Sequence, residues 1–320
     1  MIKKIILILF LTLIQKAAFG EVIYVSNEKD HNMSVIDGNS LEVIKTVKVG
    51  HRPRGIILSK DKKKIIICTS DDNRIAVVDV GSLEVEYYLP SGPDPELMVM
   101  DDAGKFIYVA NEDDNMVTVV DYIEKKIVKE IPVGVEPEGM GLSPDGKTLV
   151  NTSETTNMAH FIDTATLEIK ANVLVDARPR VAQYTDDGKF VWVSSEIGGT
   201  ISIIDPVKFE IIKKIEFKIP GMSKESVQPV GVRLDEKRQL AYVALGPANR
   251  IGIINMKTFE VEKYILTGQR VWNLMINTDG TKLYTTNGVS NDISVIDIDK
   301  RKVIKSIPVG RYPWGVAVRD

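Results

Sequence analysis

Cysteine is all but missing from this chain. Cys68 is the only one among 320 residues, so no intrachain disulfide can form, and no CxxCH context for haem attachment surrounds it. It also lies too far from the start of the chain to be a lipidated N-terminal cysteine. It ends the apolar run Ile65–Cys68, which points to a buried, chemically quiet thiol. Histidine is nearly as scarce, with only His31, His51 and His160. There is no HExxH pair, no GxSxG elbow, no dinucleotide fingerprint and no phosphate loop. A metallohydrolase, a serine hydrolase or a nucleotide enzyme of the common signatures is excluded. Basic runs are missing too, and the formal net charge is −3, which removes the electrostatic footprint of a nucleic-acid binder.

Long apolar runs are confined to the first twenty residues. Lys3 and Lys4 precede the run Ile5–Ile14, and Ala18-Phe19-Gly20 sets small residues at the positions a signal peptidase reads. Residues 1–20 therefore read as a secretory signal peptide, and an uncleaved N-terminal anchor is the alternative. Cleavage would leave 38 bases against 44 acids, a net charge of −6. No later stretch approaches the ~18 apolar residues of a membrane span. The expectation is an exported, periplasmic chain of residues 21–320, 44% hydrophobic over the whole sequence, with an ample core.

What fills that chain is a repeat. A strand-borne marker recurs at Tyr24, Ile66, Tyr108, Val150, Trp192, Tyr242 and Tyr284, at spacings of 42 with one of 50. An acid or amide ending the next strand keeps the same metre at Asp37, Asp79, Asp121, Asp163, Asp205, Asn255 and Asp297. A proline does so at Pro53, Pro95, Pro137, Pro179, Pro229 and Pro313, with Val271 in its place once. Within each unit, blocks rich in Val, Ile and Tyr alternate with Asp-Gly, Asn-Gly and Pro turns every 8–12 residues, and helical periodicity is absent. Repeated four-stranded units of ~40 residues are the signature of a β-propeller. Seven copies predict an all-β, seven-bladed propeller forming one domain.

The chain starts on the tyrosine strand and stops after the strand that follows Pro313. If the post-proline strand is innermost, the last strand must complete the first blade. Three strands from the N-terminus and one from the C-terminus would then clasp the ring and remove an open edge. One insertion breaks the metre. Eight residues are added between Phe217 and Gln228, in a connection that could serve a binding face or be decorative.

The stretches IYVANEDDNMVTVVD, GMGLSPDGKTLV and SIPVGRYPWGVAV resemble the YVTN-type propeller repeat. Longer stretches, VQPVGVRLDEKRQLAYVALGPANRIGIIN and QRVWNLMINTDGTKLYTTNGVSNDISVID among them, are similar to exported propeller proteins associated with pyrroloquinoline-quinone-dependent catabolism. That resemblance implies a periplasmic accessory protein of quinoprotein alcohol oxidation. Its expected partners are a quinoprotein dehydrogenase, its cytochrome or an ABC-transport component. It brings no catalytic residues with it. Propellers of amine dehydrogenases and haem d1 nitrite reductases share the superfamily, but the latter have eight blades, so haem d1 binding is not implied.

Candidate site residues flank the prolines, where loops enter the inner strands. They are Arg52 and Arg54, Asp94 and Glu96, Glu136 and Glu138, Arg178 and Arg180, Gln228, Arg270 with Trp272, and Tyr312 with Trp314. A ring that differs blade by blade reads as a binding funnel. Arginine forks suit carboxylate or phosphate. A flat polycarboxylate such as pyrroloquinoline quinone could lie on Trp272 or Trp314 and be pinned by Arg52, Arg178 or Arg270, non-covalently. Alternatively the arginines and glutamates neutralise one another and the tryptophans seal the channel. A lactonase-type hydrolase using Glu96, Glu138 or His51 to activate water is the enzymatic alternative to a non-catalytic binding protein. The repeated strand-end acid reads as a turn cap. Asp71-Asp72-Asn73 and Asp113-Asp114-Asn115 read as solvated turns, lacking the ligand series of a calcium loop. No metal site is expected.

Overall fold

A computed structural model describes residues 20–320. The segment read as a signal peptide lies outside them but for Gly20. Among the described residues the chain forms 28 strands, β1 to β28 in chain order, with two short 3₁₀ turns and no α-helix. No helix there is long and apolar enough to cross a membrane.

The strands make seven antiparallel four-stranded sheets. In each, the post-proline strand lies at one edge. These edge strands are β4 (Pro53–Leu58), β8 (Pro95–Met100), β12 (Pro137–Leu142), β16 (Pro179–Tyr184), β20 (Val232–Asp235), β24 (Val271–Ile276) and β28 (Pro313–Arg319). They touch one another in a closed circle, β28 against β4 included, and therefore surround the axis of a seven-bladed β-propeller. The opposite edge of a blade is exposed, as in β3 (Glu42–Lys48), where the side chains point mostly to solvent.

Blade one has the order β28, β1 (Val22–Asn27), β2 (Asn32–Asp37), β3. Val22 pairs with Arg319 and Tyr24 with Ala317, so chain end and chain start share one sheet, as the strand order demands. Between blades, the two apolar faces of neighbouring sheets meet. Tyr24, Ile65 and Ala317 share one such cluster, Trp192, Ile254 and Val227 another. The period-2 alternation supplies both faces of every inner and middle strand with Val, Ile and Tyr.

The strand-end acid caps its turn. Asp79 Oδ1 accepts from the backbone N–H groups of Gly81 and Ser82, and Asp163 Oδ1 from those of Ala165 and Thr166. Asn255 does the same for Lys257 and Thr258. Cys68 is fully buried, and burial pushes its thiol well above the usual range.

Blade six departs from the pattern. Its inner strand is only Val232–Asp235, and Val230 and Gly231 approach it irregularly after Pro229. The inserted segment carries a 3₁₀ turn at Lys224–Ser226 and buries Phe217, Ile219 and Val227 in the blade five–six cluster. Its apolar residues make the insertion part of the core, while the exposed Ser223 and Lys224 line a surface cleft of about 390 Å³.

Candidate functional site

Three repeat positions build the funnel. The residue before the proline forms the rim: Arg52, Asp94, Glu136, Arg178, Gln228, Arg270 and Tyr312. Six of these have left-handed backbones, with φ between 48° and 59°, a conformation that costs a non-glycine residue roughly 1 kcal/mol. A side chain 21 residues upstream holds the N–H of each of these six. Asn73 accepts from Asp94, Asn115 from Glu136, Asn157 from Arg178, Asn249 from Arg270 and Asn291 from Tyr312. His31 takes the asparagine's place for Arg52, accepting through Nδ1. His51, whose ring lies 4.9 Å from His31, is bound by Asp72 through both Nδ1 and its backbone N–H. The two loop histidines therefore shape the rim.

One residue past each proline comes a second ring: Arg54, Glu96, Glu138, Arg180, Val230, Trp272 and Trp314. A β-bulge after the proline takes this residue out of the ladder and re-aims its side chain. Arg54 reaches Glu96 at 2.5 Å, and Arg180 reaches Glu138 at 3.0 Å. Arg54 stacks over Trp314 at 5.5 Å and Arg180 over Trp272 at 5.8 Å. Glu96, Glu138, Arg180 and Trp314 are 0%, 1%, 4% and 1% exposed. This ring is a plug across the funnel, and Trp314 lies under Arg54 instead of offering an aromatic edge to solvent.

The third ring was missed in the sequence. Four residues after the tyrosine marker stand Glu28, Ser70, Glu112, Glu154, Glu196, Gly246 and Gly288, and most of their N–H groups bond the rim carbonyls. The same 42-residue metre points to them, but they fall in polar turns and carry no motif. They consume the arginines. Arg178 Nε meets Glu154 at 2.6 Å, Arg270 meets Glu196 at 2.6 Å, and Arg180 also binds Glu154. Arg52 chelates Asp94 at 2.8 and 2.9 Å and touches Glu96 at 3.3 Å. Thus all five funnel arginines are ion-paired, while the Glu112 carboxylate has no hydrogen bond or ion pair among the described residues. Eight carboxylates face five guanidiniums, so the funnel is net acidic.

The burial has consequences for protonation. Desolvation raises Glu138 to about 7, against the pull of Arg180. It raises Glu96 well above its ordinary value against Arg54, and Glu154 upward against Arg180 and Arg178. Burial would lower Arg54, but Glu96, Glu138 and Glu28 reverse that and leave it raised. Carboxylate oxygens of Asp94, Glu96 and Glu112, and of Glu112, Glu136 and Glu154, lie within 4.8 Å of one another. Such all-oxygen sets suit Ca²⁺ or Mg²⁺ by donor type, yet four of these five acids besides Glu112 already hold an arginine or a threonine.

The fold and this plug define a seven-bladed β-propeller with a closed, salt-bridged funnel. A model of the cytochrome d1 haem domain family matches residues 65–182, a minority of the chain. No curated protein matches. Among solved structures the chain is similar to the Kuenenia stuttgartiensis hydrazine synthase, at 21% identity and TM-score 0.80 over 87% of this chain and 93% of that one. It is similar to a putative 6-phosphogluconolactonase from Bacteroides fragilis NCTC 9343, at 17% identity and TM-score 0.78 over 94% and 98%. It also resembles the dihydro-haem d1 dehydrogenase NirN in complex with DHE, at 16% identity and TM-score 0.70 over 92% and 74%. At these identities the likeness is one of fold.

Neither the haem named in the matched family and in NirN nor the quinone that the sequence resemblance implied fits the residues present. His160 is the one histidine in the matched segment. Its Nε2 accepts from Gly134 N and its Nδ1 meets Asn172 Oδ1, so it has no nitrogen for a haem iron. Pyrroloquinoline quinone would need Arg52, Arg178 or Arg270, and each is held by a carboxylate of this chain.

Proposed function

We propose that this protein is a non-catalytic, exported binding propeller of a redox-enzyme system, docking a basic partner surface on its acidic funnel mouth. The observation that carries the reading is the imbalance of the funnel. With every funnel arginine engaged, the unpaired carboxylate of Glu112 and its neighbour Glu136, which holds only a threonine, supply net negative potential at a preformed rim, which steers and orients a cationic face. An anionic ligand would have to displace an internal carboxylate first. Hydrazine synthase and NirN, by their names, are redox enzymes with this fold. The sequence resemblance given above supports quinoprotein alcohol catabolism as the system, with a dehydrogenase or its c-type cytochrome as the partner ahead of a transport component.

The test is a pull-down from the periplasm of cells growing on an alcohol, with haem staining. Wild-type protein is expected to retain a c-type cytochrome or quinoprotein at roughly 50 mM salt and to release it near 300 mM, as exposed charge attraction is screened. The Glu112→Gln/Glu136→Gln variant is expected to retain little. Equal retention by wild type and variant, or none by either, would defeat the proposal.

One observation favours a second reading, a lactonase-type hydrolase. Glu138 combines a pKa near 7 with an Oε2 that has no hydrogen-bond partner, a protonation state suited to a general base. Its 1% exposure under Arg180 argues for the binding role. Turnover of a lactone panel by wild type, abolished in Glu138→Gln, would reverse the order.

A further inference from the structure

Behind the plug, on the side away from the funnel, the seven inner strands enclose a channel of about 560 Å³. That is ample for a small ligand. Its wall is mostly aliphatic, with Ile57, Val99, Leu142 and Met275 contributed by different blades. Polar side chains also line it, Gln183 on β16 and Arg233 on β20 with Tyr184, Thr185, Asp186 and Asn273. Gln183 and Arg233 occupy one repeat position in adjoining blades, where the other five blades carry Ile57, Val99, Gly141, Met275 and Ala317.

Arg233 is unlike every arginine of the funnel. Its Nη1 donates to the carbonyl of Val232 at 2.8 Å, and no carboxylate among the described residues lies within ion-pair distance. Desolvation alone acts on it and lowers its pKa to about 10. The Oε1 of Gln183 is buried with no hydrogen-bond partner. The acid among the channel-lining residues, Asp186, is exposed at the rim. An unpaired guanidinium in an apolar tube opposes folding unless an anion meets it. The small residues Gly141 and Ala317 stand at the same level of the wall, two blades from Arg233 on either side.

We propose that this channel is a binding site for a small carboxylate with an apolar chain or ring. The acid takes the guanidinium fork of Arg233, assisted by the side-chain amide of Gln183, and the apolar body lies against Ile57, Val99 and Met275. One guanidinium matches one negative charge. Polycarboxylates and phosphate dianions would bring charges that nothing in the tube meets. The site is separate from the funnel and does not depend on its role.

Octanoate and octan-1-ol are suitable probes, equal in chain and different in charge, measured by calorimetry on the purified protein. Octanoate is expected to bind one per chain, and octanol about tenfold more weakly or worse, since a buried charge pair is lost. Arg233→Met keeps length and removes the charge. It should fold at least as well as wild type and lose the preference for octanoate. Val99→Phe narrows the tube and should weaken both probes. No saturable octanoate binding up to roughly 10 mM, or equal affinities for the two probes in wild type, would overturn the proposal. So would octanoate affinity unchanged in Arg233→Met or in a folded Val99→Phe protein, with folding checked by melting temperature.

Discussion

Removing the last ten residues, Arg311 to Asp320, tests the ring closure directly. The truncation strips β28 from blade one. It takes away Trp314, 1% exposed, and the buried Val316 and Ala317. Loss of the tryptophan alone is on the scale of a core Trp→Ala change, about 3–5 kcal/mol. The two aliphatic residues add roughly 2–4 kcal/mol of apolar burial. The carbonyl of Trp314 also accepts from Thr286 Oγ1 at 2.7 Å and Asn273 Nδ2 at 3.1 Å, so blade seven loses partners as well. β1 is left with unpaired backbone groups, each costing about 1–3 kcal/mol if they stay buried. The total reaches about 10 kcal/mol, against the ~5–15 kcal/mol that holds a typical protein folded. The truncated chain should unfold, or associate through the bared edge of β1. Urea melts and sedimentation velocity read both outcomes. Val316→Ala, at about 1–3 kcal/mol, should melt earlier but stay monomeric. A truncated protein that remains monomeric with the wild-type melting temperature would refute the clasp.

Two further predictions concern the plug and the crowding of inner strands. Glu138 is raised to about 7 by burial, and Glu96 and Glu154 are raised too, so the folded state holds protons that the unfolded chain has released above about pH 4.5. Stability should therefore fall as pH rises above about 4.5, with the share from Glu138 spent by about pH 7. The lowered surface acids Asp79 and Asp187, both near 2, contribute stability that is lost only below about pH 4, outside that window. Glu138→Gln should flatten the fall in a melting series, and a slope unchanged from wild type would show that Glu138 is not its source. Gly139 sits where inner strands converge. A Cβ there would fall inside contact distance of the Arg180 carbonyl and 2.5 Å from Thr152 Oγ1. Gly139→Ala should cost about 1–3 kcal/mol in urea titrations, and an unchanged midpoint would count against this packing.

Most of the fold was legible because a propeller is written in repeats. Three markers at one spacing gave blade count, strand order and the clasp, and each marker has a local physical cause. The acid caps a turn, the proline opens an inner strand, and the tyrosine strand packs between sheets. Blade six was less legible, since the insertion that reads as a loop hides Phe217, Ile219 and Val227 in the core. Rim and plug residues were legible as positions. Their partners were not, because Glu28, Glu154 and Glu196 belong to other blades' turns and meet the arginines only once the ring closes.

Sequence by itself determined the metre, the all-β class and the polar character of the funnel, because those are local or periodic properties. Tertiary structure alone decided what the charges do. Whether an arginine faces a ligand or a glutamate depends on which side chains arrive within ~4 Å across the axis, and no spacing along the chain encodes that distance. The same closure buries Trp314 under Arg54 and leaves Arg233 without a carboxylate partner among the described residues of a mostly apolar tube. One kind of residue thus has opposite meanings at the two ends of a single channel.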